Sequence, residues 1–132
     1  MRTALLPLAA LALVVAGCPD EKVPEAITLY GVTVAPPART ATLVSSDLEH
    51  SLQLSQGVAF AISCWDTCKG TCEGPVFTVG DPAIAEVRPV FRSSGGYPAW
   101  VVVAKTAGTT TITVANGCAE QAYSLNVTDD QP

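Results

Sequence analysis

The sequence has little of what acid–base and metal chemistry needs. Its 132 residues hold one histidine, His50, set among serines and acids. General acid–base catalysis requires a positioned imidazole or a paired carboxylate in a pocket, so His50 reads as a solvated loop residue. Ser45, Ser46, Ser93 and Ser94 lack the context of a nucleophile elbow. There is no glycine-rich phosphate loop, metal-binding histidine pair or calcium-loop spacing, and Asp129-Asp130 reads as a solvated tail. The expectation is a protein without catalytic residues, metal or cofactor, and not an enzyme. Basic residues are also scarce. Seven Lys and Arg stand against 12 Asp and Glu, for a net charge of −5, which argues against nucleic acid and anionic lipid surfaces as partners. No stretch has convincing helical periodicity, and no internal repeat points to an array of domains.

Long apolar runs are missing too. The run Ala4 to Val15, interrupted by Pro7, falls well short of the ~20 residues that a membrane-spanning helix needs. Preceded by Arg2 and followed by small residues, it has the charged and apolar regions of a signal peptide, residues 1–17. Val15-Ala16-Gly17-Cys18 resembles the lipobox of bacterial lipoproteins. That resemblance implies cleavage after Gly17, a diacylglyceryl thioether on Cys18, and commonly a third acyl chain, palmitate or similar, on the new amino terminus. Each buried methylene contributes about 0.8 kcal/mol, so a multiply acylated Cys18 holds the chain in the bilayer. Pro19, rather than Asp, follows Cys18. Lipoprotein sorting then implies the outer membrane, on its periplasmic or surface face.

Removing residues 1–17 from the 132 leaves 115, the size of one domain. Residues 18–26 are charged and hold two prolines, and read as a short lipidated tether. Residues 27–128 are short β-branched segments separated by Gly, Pro, Ser and Asn, and residues 129–132 read as a disordered tail. Strands are expected over 27–34, 76–79, 85–91, 100–105, 110–115 and 121–128. Ala38 to His50 reads as a strand fragment plus a loop insertion. Between them Leu52, Leu54, Val58, Phe60, Ile62 and Cys64 alternate with small or polar neighbours, the period of a half-buried strand, and Gly57 marks a bend or a switch of sheet. Pro89 suits an edge strand or a bulge, and Asn116-Gly117 a tight hairpin, because both residues tolerate positive φ.

Gly80-Asp81-Pro82-Ala83-Ile84-Ala85-Glu86-Val87 and Ala107-Gly108-Thr109-Thr110-Thr111-Ile112-Thr113-Val114 resemble motifs of the bacterial immunoglobulin-like domain, group 2, of intimin- and invasin-type proteins. Val32 to Pro36 and Leu52 to Gly57 resemble its opening segments. The resemblance implies an all-β, immunoglobulin-like β-sandwich of about seven short strands. The family usually lacks cysteines in this domain, whereas this chain has four.

Those four form Cys64-x3-Cys68-x3-Cys72 after the second strand, with Cys118 following Asn116-Gly117. With Cys18 acylated, an even number remains, as suits two disulfides in an oxidising compartment. A zinc site of four thiolates is the alternative, but the x3 spacings differ from the usual Cys-x2-Cys knuckle. Three pairings are open. In an immunoglobulin-like sandwich the two loops cluster at one end, and the pairing favoured is Cys64 with Cys118 and Cys68 with Cys72. Trp65, Asp66, Lys69 and Glu73 form the candidate partner-binding loop, because loops at one end of a sandwich commonly recognise ligands. Trp100 reads as a core residue.

The functional expectation is a lipid-anchored, non-enzymatic cell-envelope protein, a binding or adhesion-type structural module. It would hold the membrane through Cys18 and contact an unidentified envelope or extracellular protein or glycan. The alternative is an accessory or stability subunit of an envelope assembly that docks through an edge strand, and a distant one is an enzyme with an unrecognised site. Replacing Cys18 by Ala is expected to move the protein from the membrane fraction to the soluble fraction. Retention of Cys18→Ala in membranes contradicts the lipid anchor.

Overall fold

Strands whose alternate residues are apolar must bury one face, and two such sheets stacked face to face share one core. The computed structural model describes residues 26–33, 35–90 and 98–129. The signal peptide, Cys18 and the tether to residue 25 lie outside the described residues, as do Val34, residues 91–97 and residues 130–132. Ten strands follow one another: β1 (Ile27–Gly31), β2 (Ala41–Ser45), β3 (His50–Ser55), β4 (Ala59–Asp66), β5 (Gly70–Thr71), β6 (Val76–Val79), β7 (Ala85–Pro89), β8 (Trp100–Ala104), β9 (Gly108–Ala115) and β10 (Glu120–Thr128). One sheet has the order β1-β4-β8-β7, with β5 attached to β4, and the other the order β2-β3-β10-β9-β6. All pairings are antiparallel except β3 with β10. The fold is an all-β, immunoglobulin-like sandwich with no helix among the described residues.

The core lies between the sheets. Leu52, Leu54, Ile112, Val114, Tyr123, Leu125 and Val127 of one sheet meet Ile27, Leu29, Phe60, Ile62, Cys64 and Val102 of the other, all essentially buried. Burial of each large side chain contributes roughly 1.5–3 kcal/mol. The even-numbered residues of β3 and β4 face inward as their alternation requires. Gly57 stands where the chain leaves one sheet for the other, at φ +81°, a conformation that costs glycine little. β7 is the terminal strand of its sheet, which accommodates Pro89.

Several expectations change. The stretch from Ala38 to His50 is no insertion, because it supplies β2, whose Ala41 and Leu43 pack against the core, and it ends on the first residue of β3. With β2, the two-residue β5, and the Leu52–Cys64 stretch divided into β3 and β4, the described strands number ten rather than about seven. His50 is no solvated loop residue. It opens β3, half-buried, and its ring meets that of Tyr123 edge-to-face at 5.2 Å. Trp100 packs against the core and the ring of Phe77, 5.2 Å between centroids, as expected of a structural residue.

The register also fixes the two ends of the sandwich. Ile27 pairs with Asp66, so the chain enters β1 at the end that holds the β4–β5 turn, the β9–β10 loop and the β2–β3 turn. Ala26 is tied there, its amide donating to Thr67 Oγ1 at 3.0 Å and its carbonyl accepting from the Thr67 amide at 3.1 Å. The chain leaves β10 at the opposite end, where the Gln56 amide donates to the Thr128 carbonyl at 2.8 Å.

Tyr123 joins the two sheets by a polar link inside this core. Its hydroxyl accepts from the buried Leu29 amide at 2.9 Å and shares a hydrogen bond of 2.7 Å with Ser45 Oγ. Tyr123→Phe leaves the Leu29 amide buried and unpaired, and is expected to lower unfolding free energy by about 1–3 kcal/mol. Urea unfolding with the disulfides intact measures this, and an unchanged midpoint contradicts it.

Candidate functional site

β4 carries its inward alternation one step past Cys64, to Asp66. A carboxylate on the inner face of a sheet must be hydrogen-bonded, since an unpaired buried charge is costly. Asp66 is 2% exposed and fully engaged. Its Oδ1 accepts from the amides of Cys68 at 2.9 Å and Lys69 at 2.7 Å, and its Oδ2 from Asn116 Nδ2 at 2.9 Å. The first two bonds shape the turn after β4. The third crosses to the other sheet, because Asn116 begins the loop between β9 and β10. Hydrogen bonds from Lys69, then from Asn116 and Cys68, outweigh desolvation and hold the carboxyl below its ordinary pKa. Asp66 is therefore ionised at neutral pH.

Asn116 repeats the arrangement in its own loop. Its Oδ1 accepts from the amides of Cys118 at 2.9 Å and Ala119 at 3.1 Å. The loop spans the four residues from Asn116 to Ala119, and neither Asn116 nor Gly117 takes positive φ. This corrects the tight-hairpin expectation: the asparagine acts through its side chain, as an Asx turn, and not through a left-handed backbone.

The cysteines pair as Cys64–Cys72 and Cys68–Cys118, with Cα separations of 5.6 and 6.1 Å, within the range a disulfide spans. The expected connectivity, Cys64 with Cys118 and Cys68 with Cys72, is overturned. The reason is β5. The stretch from Cys64 to Cys72 is a hairpin rather than a loop, with Trp65 opposite Thr71 and Asp66 opposite Gly70. Cys64 and Cys72 are next in line across it, and both are buried. Cys68 rides on the exposed tip, where the loop of the other sheet brings Cys118 to it. The sulfurs of Cys68 and Cys118 and a carboxylate oxygen of Asp66 lie within 4.8 Å of one another. With both sulfurs in a disulfide, that trio has no thiolate to offer a metal.

The four candidate partner-binding residues therefore divide. Asp66 is internal and shapes the loop instead of being presented. Trp65, on the outward face of β4, is 52% exposed. Its six-membered ring lies over Gly70, where an added Cβ would come within 2.9 Å of the indole, and Gly70 has φ +92°. Only glycine satisfies both conditions, so the ring is supported on one face and open on the other. Lys69 and Glu73 form an exposed ion pair at 3.0 Å, and Glu73 raises the Lys69 pKa. Such an exposed pair adds little stability. Lys69 and Glu73, but not Trp65, line an open cavity of about 340 Å³ together with Asp66, Asn116 and the Cys68–Cys118 bridge.

No protein-family model matches the chain. No curated protein matches it either. Among solved structures, domains 4 and 5 of the S-layer protein SbsC resemble it with a TM-score of 0.41 and 20% identity, over 67% of this chain and 53% of that one. The chain thus spans about half the length of that structure.

Asp66→Asn turns an amide nitrogen toward donors and removes the charge. It is expected to cost about 1–3 kcal/mol at pH 7. Because the folded-state pKa is depressed, the stabilisation is complete above the ordinary carboxylate pKa of about 4 and fades as pH falls through the lower, folded value. Denaturant unfolding of both proteins across that interval should show the gap closing at low pH. A gap that stays constant contradicts an ionised Asp66.

Proposed function

We infer that the chain is a lipid-anchored, non-enzymatic module of the cell envelope, held by Cys18 and engaging its partner through the braced end of the sandwich. The observation that carries this reading is a rigid, exposed patch. Trp65 lies flat on Gly70, and Lys69 and Glu73 stand beside it, on a hairpin secured by two disulfides and by Asp66. Ordering a recognition surface before contact reduces the entropy lost on binding. The Asp81 to Val87 and Ala107 to Val114 motifs support membership of the group 2 bacterial immunoglobulin-like domains. The lipobox supports export and an outer-membrane location.

Photo-crosslinking in intact envelopes tests the reading. A crosslinker at position 69, on the braced end, is expected to form specific adducts, and one at position 105, on the opposite end, is not. Adducts confined to position 105 would overturn recognition through the braced end.

A further inference from the structure

The two disulfides differ in their access to solvent. Cys64 and Cys72 are 1% and 3% exposed, enclosed in the core. Cys68 is exposed on the hairpin tip and Cys118 is half-buried in the β9–β10 loop, and both line the open cavity of about 340 Å³. Thiol–disulfide exchange requires a thiolate to reach a sulfur, so an external thiol meets Cys68–Cys118 and is kept from Cys64–Cys72. A dithiol reductant attacks one sulfur of the exposed bridge, the S–S bond breaks, and the other sulfur leaves as a thiolate. The reductant's second thiol then displaces the mixed disulfide. Cys68 and Cys118 become thiols, having taken up two electrons and two protons, and the dithiol becomes its own disulfide.

Opening this bridge does not by itself part the hairpin from the loop. Asn116 Nδ2 still donates to Asp66 Oδ2, and each of those two side chains still accepts the amide of its neighbouring cysteine, Cys68 for Asp66 and Cys118 for Asn116. The two thiols therefore stay beside the Asp66 carboxylate, in the arrangement that puts both sulfurs and a carboxylate oxygen within 4.8 Å of one another. Tetrahedral zinc holds sulfur at about 2.3 Å and carboxylate oxygen at about 2.0–2.2 Å, which places its ligand atoms roughly 3.6–3.8 Å apart, inside the distance that encloses this trio. A carboxylate oxygen that accepts one hydrogen bond keeps a second lone pair for a cation. The donors that hold Asp66 are of the kind that orient a metal ligand from its outer shell. Asp66 also reaches the same cavity as the two cysteines, so a cation and a water have a way in.

We propose that Cys68–Cys118 is a reducible cover on a cation site: once a dithiol opens it, Cys68, Cys118 and Asp66 bind a thiophilic divalent cation of the zinc type, with water from the cavity as fourth ligand. Binding releases the two thiol protons to solvent. The ligands come from β4, from the hairpin tip and from the loop of the other sheet, so the cation takes over from the covalent bridge in joining the sheets. The site is independent of the lipid anchor and of any partner at this end.

Cobalt reports the site, because thiolate ligation gives it a sulfur-to-metal absorption band. Full-length protein with both bridges formed is treated with dithiothreitol under native conditions, freed of it without air, and divided. Alkylation and mass spectrometry of one part are expected to find Cys68 and Cys118 labelled and Cys64–Cys72 intact. The other part is expected to take up one cobalt per chain with the thiolate band, whereas untreated protein takes up none. Cys68→Ser with Cys118→Ser lacks the bridge as the reduced protein does, and should show no band. Zinc should restore the urea midpoint that reduction lowers, and should not raise that of the double variant. Losing even an outer-shell partner costs roughly 10–100-fold in metal affinity, so Asp66→Asn should bind cobalt more than about tenfold more weakly. Reduced protein without the band, equal uptake by the double variant, unchanged affinity of Asp66→Asn, or opening of Cys64–Cys72 before Cys68–Cys118 overturns the proposal.

Discussion

One ionised carboxylate organises the disulfide-braced end of this molecule. Asp66 sits where β4 leaves the core, buried on the inner face, and its three donors come from both halves of the sandwich. Two of the bonds shape the turn that places Lys69 and Trp65, and the third holds the β9–β10 loop against that turn. The Cys68–Cys118 bridge makes the same connection covalently, and Asn116 positions Cys118 by accepting its amide hydrogen. The hydrogen bonds and the disulfide therefore reinforce one geometry. The bridge closes a loop with a sequence separation of 50, against 8 for Cys64–Cys72. It restricts the unfolded chain more in the chain-entropy account.

The sandwich was largely legible in the sequence because its signals are local. Alternation from Leu52 to Cys64 marked a half-buried strand and its inner face, with Gly57 as a bend or a switch; the chain does change sheet there, so the stretch is two strands, β3 and β4. Pro89 indicated an edge, and Tyr123, Leu125 and Val127 a buried face. β2 was legible only as a strand fragment with a loop insertion, because the sequence around it, rich in serine and acids, hides a strand whose Ala41 and Leu43 are only half-buried. His50 was misjudged for the same reason: its composition is that of a loop, whereas its partner, Tyr123, is remote in sequence.

The candidate site was legible in part. Its location followed from the cysteines, and Trp65, Lys69 and Glu73 are exposed there. The role of Asp66 was available and missed. Extending the even-numbered alternation by one step beyond Cys64 puts Asp66 on the inner face, where a carboxylate has to be hydrogen-bonded. The connectivity depended on β5, two residues with no strand signal of their own, and on a register that only tertiary pairing defines. Asn116 carried a turn signal whose mechanism was mistaken, since Asx turns and left-handed backbones favour the same residue type.

The fold has a buried polar latch at one end and open turns at the other. The latch and the Cys68–Cys118 bridge hold the hairpin of one sheet to the β9–β10 loop of the other. This account depends on β4 and β5 forming a hairpin whose tip is tied to the other sheet, and disulfide mapping tests that most directly. Under acidic, denaturing, non-reducing conditions, cleavage before Asp66 and after Lys69 separates the three clustered cysteines. The account predicts that the Asp66–Lys69 peptide is joined to the peptide containing Cys118, and that the peptides of Cys64 and Cys72 are joined to each other. A bridge from Asp66–Lys69 to the peptide beginning at Gly70 would contradict it.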